Sequence, residues 1–232
     1  MIGPLPSVPA LLAALDADGH AVIPGMLDGD ACAAMAALFD DPDTAFRSSI
    51  DMARHGFGRG HYRYFARPLP PLVQGLRTGL YPALAEIANI WSDRLGDGRR
   101  WPDTHATLAE HCAAVGQSRP TPLLLRYGPG DFNRLHQDVY GPLLFPLQLV
   151  VLLDAPGRDF NGGEFMLVEG RPRQQSQGRV VPLRQGDAAL FPVRDRPVPS
   201  ARGWSRATMR HGVSTIHTGQ RRTLGIIFHD AT

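Results

Sequence analysis

Three consecutive residues in the second half of the chain, His136-Gln137-Asp138, have the types and spacing of metal ligands. On a β-strand, side chains at i and i+2 point to the same face, so an imidazole and a carboxylate project side by side. The two groups can occupy two positions of one metal ion, and a third ligand then has to come from another part of the chain. A His-x-Asp pair alone is weak evidence, because a surface strand can carry this pair without binding metal.

A later segment, RHGVSTIHTGQRRTLGIIFH, supplies the missing group. Both His211 and His217 are candidates for the third ligand. Two histidines and one carboxylate on one face of a metal, with the other positions open, are typical of non-haem Fe(II) oxygenases. His229, at the end of the final strand, is interpreted as a structural residue.

Arg221 follows in the same segment and has a basic side chain suited to an anion. Gly219 is expected to turn a hairpin, which would place the strand of His211 beside the strand of Arg221. A dicarboxylate that chelates the metal at one end can then meet the guanidinium at the other. Alternation puts Thr223 on the same face as Arg221 and puts Arg222 on the opposite face.

The elements that must position these residues differ between the two halves of the chain. Helical patterns predominate before residue 120, with Ser7 and Asp28 as N-caps and further helices over 72–95 and 103–115. From Thr121 onward, about eight short β-rich runs alternate with Gly and Pro, which is typical of a jelly roll. We therefore predict an α+β fold in one domain over 1–232. Its mainly helical support region spans 1–120, and its jelly-roll catalytic core spans 121–229.

Length and composition exclude several classes of protein. The 232 residues are 43% hydrophobic and 20% charged, which is ordinary for a globular domain and excludes global disorder. No apolar run is long enough to span a bilayer, and no basic, apolar leader begins the chain. The two cysteines, Cys32 and Cys112, are interpreted as small buried thiols in a reducing compartment, so we expect a cytoplasmic protein without a membrane partner.

Charge is segregated along the chain. Residues 1–43 contain seven Asp and no Arg, whereas residues 171–210 contain nine Arg and two Asp. The basic stretch can attract an anionic substrate, or it can form a solvated rim that pairs with the acidic N-terminal region.

The motifs together resemble those of the Fe(II)- and 2-oxoglutarate-dependent oxygenases, most closely the prolyl 4-hydroxylase-like branch. The resemblance covers roughly residues 122–229 and rests on His-x-Asp, on His211-x-Val213-x-x-Ile216-x-x-Gly219-x-Arg221-x-x-Leu224, and on LRYGPG, NGGEF and GDAALF. The whole chain is also similar to a bacterial family of uncharacterised hydroxylating 2-oxoglutarate oxygenases, for which a role on alkylated nucleic acid has been proposed.

This resemblance implies a double-stranded β-helix (cupin-like) core and a requirement for Fe(II), 2-oxoglutarate and O2. It implies that His136, Asp138 and His211 hold the iron. In the family the distal His stands ten residues before the basic residue that holds 2-oxoglutarate, and His211 has this spacing from Arg221. His211 is therefore favoured over His217, and Tyr127 is a further candidate contact to 2-oxoglutarate, as is Thr223.

The resemblance implies hydroxylation of a substrate C–H bond with release of succinate and CO2, and a small molecule, amino acid or peptide is the favoured substrate. The alternative is oxidative dealkylation of damaged nucleic acid, and a non-catalytic metal-binding cupin-like protein is a third hypothesis. Alkylation-repair demethylases carry a second Arg six residues after the first. Here those positions are Ile227 and Phe228, so nucleic acid is not the favoured partner.

Residues 54–67 interleave basic and aromatic side chains. The segment is a candidate substrate lid or a stacking surface for nucleic acid, and the alternative is an ordered loop whose aromatics pack on the core. Arg59 and Tyr64 in this segment, and Trp204 in the basic stretch 194–210, are the candidate substrate contacts.

Overall fold

Two antiparallel β-sheets face each other in this computed structural model, which describes residues 3–232. The sheets hold most of the second half of the chain, and helices from the first half cover the outer face of one of them. The helices are α1 (Val8–Asp18), α2 (Gly29–Ala37), α3 (Pro71–Leu95) and α4 (His105–Ala114), with a 3-10 helix at Met52–His55.

The larger sheet, called the major sheet below, has seven strands. In spatial order these are β1 (Ala21–Ile23), β11 (Ala188–Pro192), β7 (Leu147–Leu152), β15 (Arg221–Ile227), β5 (Leu123–Tyr127), β4 (His61–Phe65) and β2 (Phe46–Asp51).

The minor sheet runs opposite the major sheet. Its strands, in spatial order, are β10 (Gln177–Val181), β9 (Phe165–Gly170), β13 (Gly203–Val213), β6 (Phe132–His136) and β3 (Gly58–Arg59), and β12 (Asp195–Ser200) also pairs with β13. A separate pair consists of β8 (Phe160–Gly162) and β14 (Ile216–Gly219).

The central strand β7 shows how the layers are held together. All six of its residues are buried, because side chains from both of its faces enter hydrophobic clusters. Leu149 and Val151 belong to the cluster shared with the helices, whereas Val150 and Leu152 belong to the cluster between the two sheets. Helices on one side and a second sheet on the other therefore make the α+β layering that the sequence predicts.

The helix ends follow the predicted caps. Ser7 accepts a hydrogen bond from the Ala10 amide, and Asp28 accepts one from the Ala31 amide at 2.8 Å. Helix α3 continues through Pro82 without ending there. Both cysteines are buried in helices, as expected.

Residues 46–65 form three strands that the sequence pattern does not predict. The helical pattern gave no sign of strands β2, β3 and β4 in this part of the chain. Strand β3 pairs with β6 of the minor sheet, and β4 pairs with β5 of the major sheet. The aromatic segment 54–67 is therefore neither a free lid nor a loop, because its strands join one edge of the two sheets.

The segregated charges meet in space. Arg196 is buried, binds Glu169 at 2.7 Å and donates to the carbonyl oxygens of Leu15 and Asp16. Arg179 adds an exposed ion pair to Asp18. The basic stretch therefore contacts the acidic N-terminal region, but of these contacts only Arg179–Asp18 is an ion pair between the two. Among residues 3–232, no helix is both long and apolar enough to cross a membrane.

Candidate metal centre

His136, Asp138 and His211 come together at one end of the minor sheet. His136 is the last residue of β6 and pairs in register with His211 on β13, with 4.2 Å between the ring centroids. Asp138 lies two residues past the end of β6. One nitrogen or oxygen atom from each side chain lies within 4.8 Å of the other two.

The protonation of these groups suits a divalent cation. Nδ1 of His136 lies 2.7 Å from the carbonyl oxygen of Arg134, which can only accept, so Nδ1 carries the proton and the lone pair of Nε2 is free. Burial lowers the pKa of His136, which keeps the ring neutral near pH 7. Burial alone would raise the pKa of Asp138, but the neighbouring His211 and His136 outweigh it and hold that pKa well below its usual range.

Two imidazoles and one carboxylate fit Fe(II) as a facial ligand set. Across residues 3–232, no other three His, Cys, Asp or Glu side chains are brought together in this way. His217 is exposed on β14, and His229 is fully buried outside the lining of the cavity described next. The structure therefore brings together the three predicted ligands and leaves the alternative His217 apart.

A cavity of about 440 Å³ lies between the two sheets and contains this cluster in its wall. Arg221 lines the same cavity from β15, a strand of the major sheet. The expected hairpin at Gly219 is wrong: β14 leaves the minor sheet to pair with β8, and β15 then enters the opposite sheet. Arg221 therefore meets the cavity from the sheet opposite the metal ligands and does not lie beside the strand of His211.

The guanidinium of Arg221 is suited to bind an anion. Its side chain is almost fully buried, yet Nε and Nη1 have no hydrogen-bond partner within residues 3–232. Burial lowers the pKa of Arg221 to about 10, so it remains charged at neutral pH. Buried donors are nearly always satisfied in folded proteins, so these two nitrogens fit the carboxylate of a ligand.

The surroundings of Arg221 keep it in place. Tyr127 is its register partner on β5, and the guanidinium carbon lies 5.8 Å from the centre of the Tyr127 ring. Gly163 also approaches: a Cβ at that position would lie 2.9 Å from Cδ of Arg221, so the chain needs glycine there. Because that glycine also has φ +66, a larger residue would be strained as well as crowded.

The other two candidate 2-oxoglutarate contacts also line the cavity. Tyr127 is fully buried, and its hydroxyl accepts a hydrogen bond of 3.2 Å from Asn133 Nδ2. Thr223 is buried two residues along β15 from Arg221. Arg222, which lies between Arg221 and Thr223 on β15, faces the opposite side of the strand, as alternation predicts. Its Nη2 donates to Oδ1 of Asp154 at 2.6 Å.

The candidate substrate contacts separate into two groups. Tyr64 lines the cavity, but Arg59 and Trp204 are not among the lining residues. Trp204 lies on β13 under the guanidinium of Arg94, 4.2 Å from its ring centre. The position of Trp204 therefore does not support the prediction that it contacts the substrate in this cavity.

Two polar residues of the site were not recognised from the sequence. Asn133 holds the hydroxyl of Tyr127, and Tyr140 donates a hydrogen bond to Asp138 at 2.6 Å. Tyr140 lies two residues after Asp138, in the same segment without helix or strand, so strand alternation does not predict its contact with Asp138. Nothing in the local sequence marks Asn133, because its partner belongs to another strand.

A family model matches residues 60–231, and its description is an oxygenase catalysing oxidative methylation of damaged DNA. Uncharacterised proteins from two strains of Mycobacterium tuberculosis are 50% identical over 167 residues, which cover 72% of this chain and 72% of theirs.

Solved structures with a similar fold have low sequence identity to this chain. A prolyl-4-hydroxylase from Pseudomonas putida is 14% identical with a TM-score of 0.53, and the match covers 97% of this chain and 99% of that one. A 2OG-Fe(II) oxygenase family oxidoreductase from Burkholderia pseudomallei is 16% identical with a TM-score of 0.54, and the match covers 100% and 96%. These similarities confirm the predicted double-stranded β-helix with its helical layer.

Proposed function

This chain belongs to the Oxygenase-NA family, and from that membership we propose that it is an Fe(II)- and 2-oxoglutarate-dependent dioxygenase that hydroxylates a substrate C–H bond. The observation that carries the proposal is the placement of a His-Asp-His cluster and an unpartnered buried guanidinium in the walls of one cavity. Neither feature alone requires this chemistry. A metal-binding protein without catalysis needs no anion anchor, which argues against the non-catalytic hypothesis.

In this proposal His136, Asp138 and His211 hold Fe(II), and Arg221 holds the far carboxylate of 2-oxoglutarate. When bound, the iron and 2-oxoglutarate supply the oxidant for the C–H bond, with succinate and CO2 as co-products. We propose residues 121–229 as the catalytic core of a single domain. The cytoplasmic location stays a prediction.

The side chains of the protein have three tasks around these groups. Arg221 fixes the orientation of the bound dicarboxylate by donating from Nε and Nη1, and Tyr127 packs against the guanidinium. The apolar wall formed by residues such as Phe165 and Phe191 excludes water from the reacting groups. Because the ring of His136 is neutral, the lone pair of its Nε2 can bind the metal without prior loss of a proton from that nitrogen.

The direct test is Fe(II)-dependent release of succinate from 2-oxoglutarate by the purified protein, first alone and then with metabolites, peptides and alkylated oligonucleotides. We expect turnover to need Fe(II), and a true substrate to raise it. Removing the metal with a chelator should stop succinate formation, and restoring Fe(II) should recover it. Succinate release that persists in the metal-free protein would contradict the proposal.

Damaged nucleic acid is the second candidate substrate, and the family description together with the cavity mouth favours it. The exposed rings of His55 and Phe57 stack on each other, with centroids 5.4 Å apart and an angle of 19° between their planes. Phe57 and the exposed Arg134 both line the cavity. An exposed aromatic beside an arginine suits a base and its phosphate. The missing second arginine at Ile227 or Phe228 still distinguishes this chain from known alkylation-repair demethylases.

Phe57→Ala is expected to weaken binding of single-stranded DNA about 5- to 150-fold, because loss of one stacking contact removes roughly 1–3 kcal/mol. Fluorescence anisotropy with a labelled oligonucleotide at several salt concentrations measures this affinity. Trp204→Ala is the matched control, since Trp204 is also an exposed aromatic but lies away from the cavity. Equal losses in the two variants, or no measurable DNA binding, would argue for a small-molecule or peptide substrate.

A further inference from the structure

A chain of hydrogen bonds leads from the major sheet to the carboxylate of Asp138. The hydroxyl of Tyr140 donates to Oδ1 of Asp138 at 2.6 Å, and the hydroxyl of Tyr64 donates to the oxygen of Tyr140 at 3.0 Å. Tyr64 belongs to β4, and the guanidinium of Arg47 covers its ring at 4.2 Å. This series of hydrogen bonds therefore begins on β4, a strand that the sequence pattern does not predict, and ends at the candidate metal centre.

The direction of this chain follows from what each group can donate. An ionised carboxylate only accepts, so the proton of Tyr140 points to Asp138, and the oxygen of Tyr140 is left to accept from Tyr64. A phenol has an ordinary pKa of about 10, so both hydroxyls keep their protons at neutral pH. The arrangement has a single direction, from the sheet toward the carboxylate.

Asp138 needs such support more than the two histidines do. His136 and His211 are register partners in the minor sheet, so the strand ladder fixes their backbones. Asp138 lies beyond the end of β6, in a segment without helix or strand that continues to β7. Its carboxylate is held instead through its oxygens: Oδ1 by Tyr140, while Oδ2 lies 3.2 Å from Nε2 of His211.

We propose that Tyr140 is a positioning residue of the metal centre, whose hydroxyl holds Oδ1 and so presents Oδ2 of Asp138 to the metal, and that Tyr64 in turn holds Tyr140. This inference rests on the proposed function. It gives strand β4 a role in the site, although the motifs of the oxygenase resemblance begin only near residue 122. A carboxylate that binds through one oxygen also leaves more positions of the metal open for ligands.

The test measures metal affinity of the metal-free protein, without 2-oxoglutarate and without turnover. Mn(II) titration followed by calorimetry gives the Kd, and the visible spectrum of the Co(II) form reports on the ligand geometry. Tyr140→Phe is expected to weaken Mn(II) binding about 10- to 100-fold, the range typical for loss of a group that holds a metal ligand. It should also change the Co(II) spectrum. Tyr64→Phe acts one hydrogen bond further away and should have a smaller effect in the same direction.

Tyr81→Phe is the matched control. Tyr81 is also fully buried, but among the described residues 3–232 its hydroxyl has no hydrogen-bond partner, and its ring packs against Phe145 and Phe228. This variant should bind Mn(II) like the wild type. The melting temperature of each metal-free variant shows whether the fold is kept. If Tyr140→Phe is unstable, the weaker Mn(II) binding expected of Tyr64→Phe, which removes only the outer hydroxyl of the same hydrogen-bond chain, still tests the positioning role.

The possible outcomes separate the inference from the proposed function. If the wild type binds one Mn(II) that His211→Ala loses, but the folded Tyr140→Phe variant binds with unchanged affinity and spectrum, the positioning role is wrong and the oxygenase proposal stands. An effect of Tyr64→Phe larger than that of Tyr140→Phe would also overturn the proposed order. If the wild type itself binds no metal at these residues, the proposed function is wrong, and the positioning role falls with it.

Discussion

Replacing His211 with alanine is expected to abolish Fe(II)-dependent succinate formation. Two side chains would remain of the three whose ligand atoms now lie within 4.8 Å of one another. The loss should exceed the roughly 10- to 100-fold that removal of an outer hydrogen-bond partner typically produces, because a direct ligand is removed. Succinate release at saturating 2-oxoglutarate and Mn(II) affinity of the metal-free protein are the two measurements, and both should fall together.

His217→Ala is the matched control for this prediction. His217 is six residues further along the chain, and it is exposed on β14 and absent from the cavity wall. Its loss should leave most of the activity and the Mn(II) affinity. If His217→Ala abolished metal binding while His211→Ala retained it, the ligand assignment would have to be reversed.

Arg221→Met is the second large effect we expect, and it should act on 2-oxoglutarate rather than on the metal. Truncating one member of a buried, hydrogen-bonded charge pair typically costs about 2–5 kcal/mol of binding. The KM for 2-oxoglutarate should therefore rise about 30- to 5,000-fold, since each 1.4 kcal/mol corresponds to a factor of ten. Mn(II) affinity without 2-oxoglutarate should stay near the wild-type value.

The same variant should not destabilise the ligand-free protein. Without an anion, Nε and Nη1 of Arg221 have no hydrogen-bond partner in the part of the chain that the structure describes, so Met of similar length removes a buried charge with two unsatisfied donors. Chemical denaturation of the metal-free protein should give an unchanged or higher free energy of unfolding. Arg222→Met is the matched control, because it leaves the buried Asp154 without its ion pair. This variant should lower the free energy of unfolding and leave the KM for 2-oxoglutarate unchanged. An unchanged KM in Arg221→Met would place the anchor elsewhere.

The sequence predicted well those parts of the site that depend on local geometry. The side chains of His136 and Asp138 do lie side by side, as their spacing of two residues predicts, although β6 ends at His136. The alternation along β15 separates Arg221 from Arg222. The capped helices and the buried cysteines were predicted for the same reason, since each depends on a few neighbouring residues. The functional roles of these side chains stay predictions until the variants are measured.

The parts that the sequence did not predict depend on which strands become neighbours. A pattern of alternating side chains fixes the face of a strand but not its partner, so the hairpin at Gly219 was a reasonable expectation and the crossing to the opposite sheet was not visible. Strands β3 and β4 are not predicted because they pair with β6 and β5, far along the chain, and β2 is held in the sheet only through its pairing with β4. The contribution of Tyr64 to Asp138 could not be inferred without that pairing.

The crossing of β15 to the major sheet explains how one cavity serves two ligand types. Imidazole and carboxylate groups meet on the minor sheet, and the cationic anchor enters from the major sheet. Placing the cation on a separate layer keeps its charge away from the metal ligands while both still line the cavity. A dicarboxylate that reaches both walls would therefore also link the two sheets.

The most direct test is an anaerobic crystal structure with Fe(II) and 2-oxoglutarate. We expect one metal ion bound by His136, Asp138 and His211, with the distal carboxylate of 2-oxoglutarate on Nε and Nη1 of Arg221. A metal bound at other residues, or a 2-oxoglutarate carboxylate that leaves those two nitrogens unpaired, would contradict it.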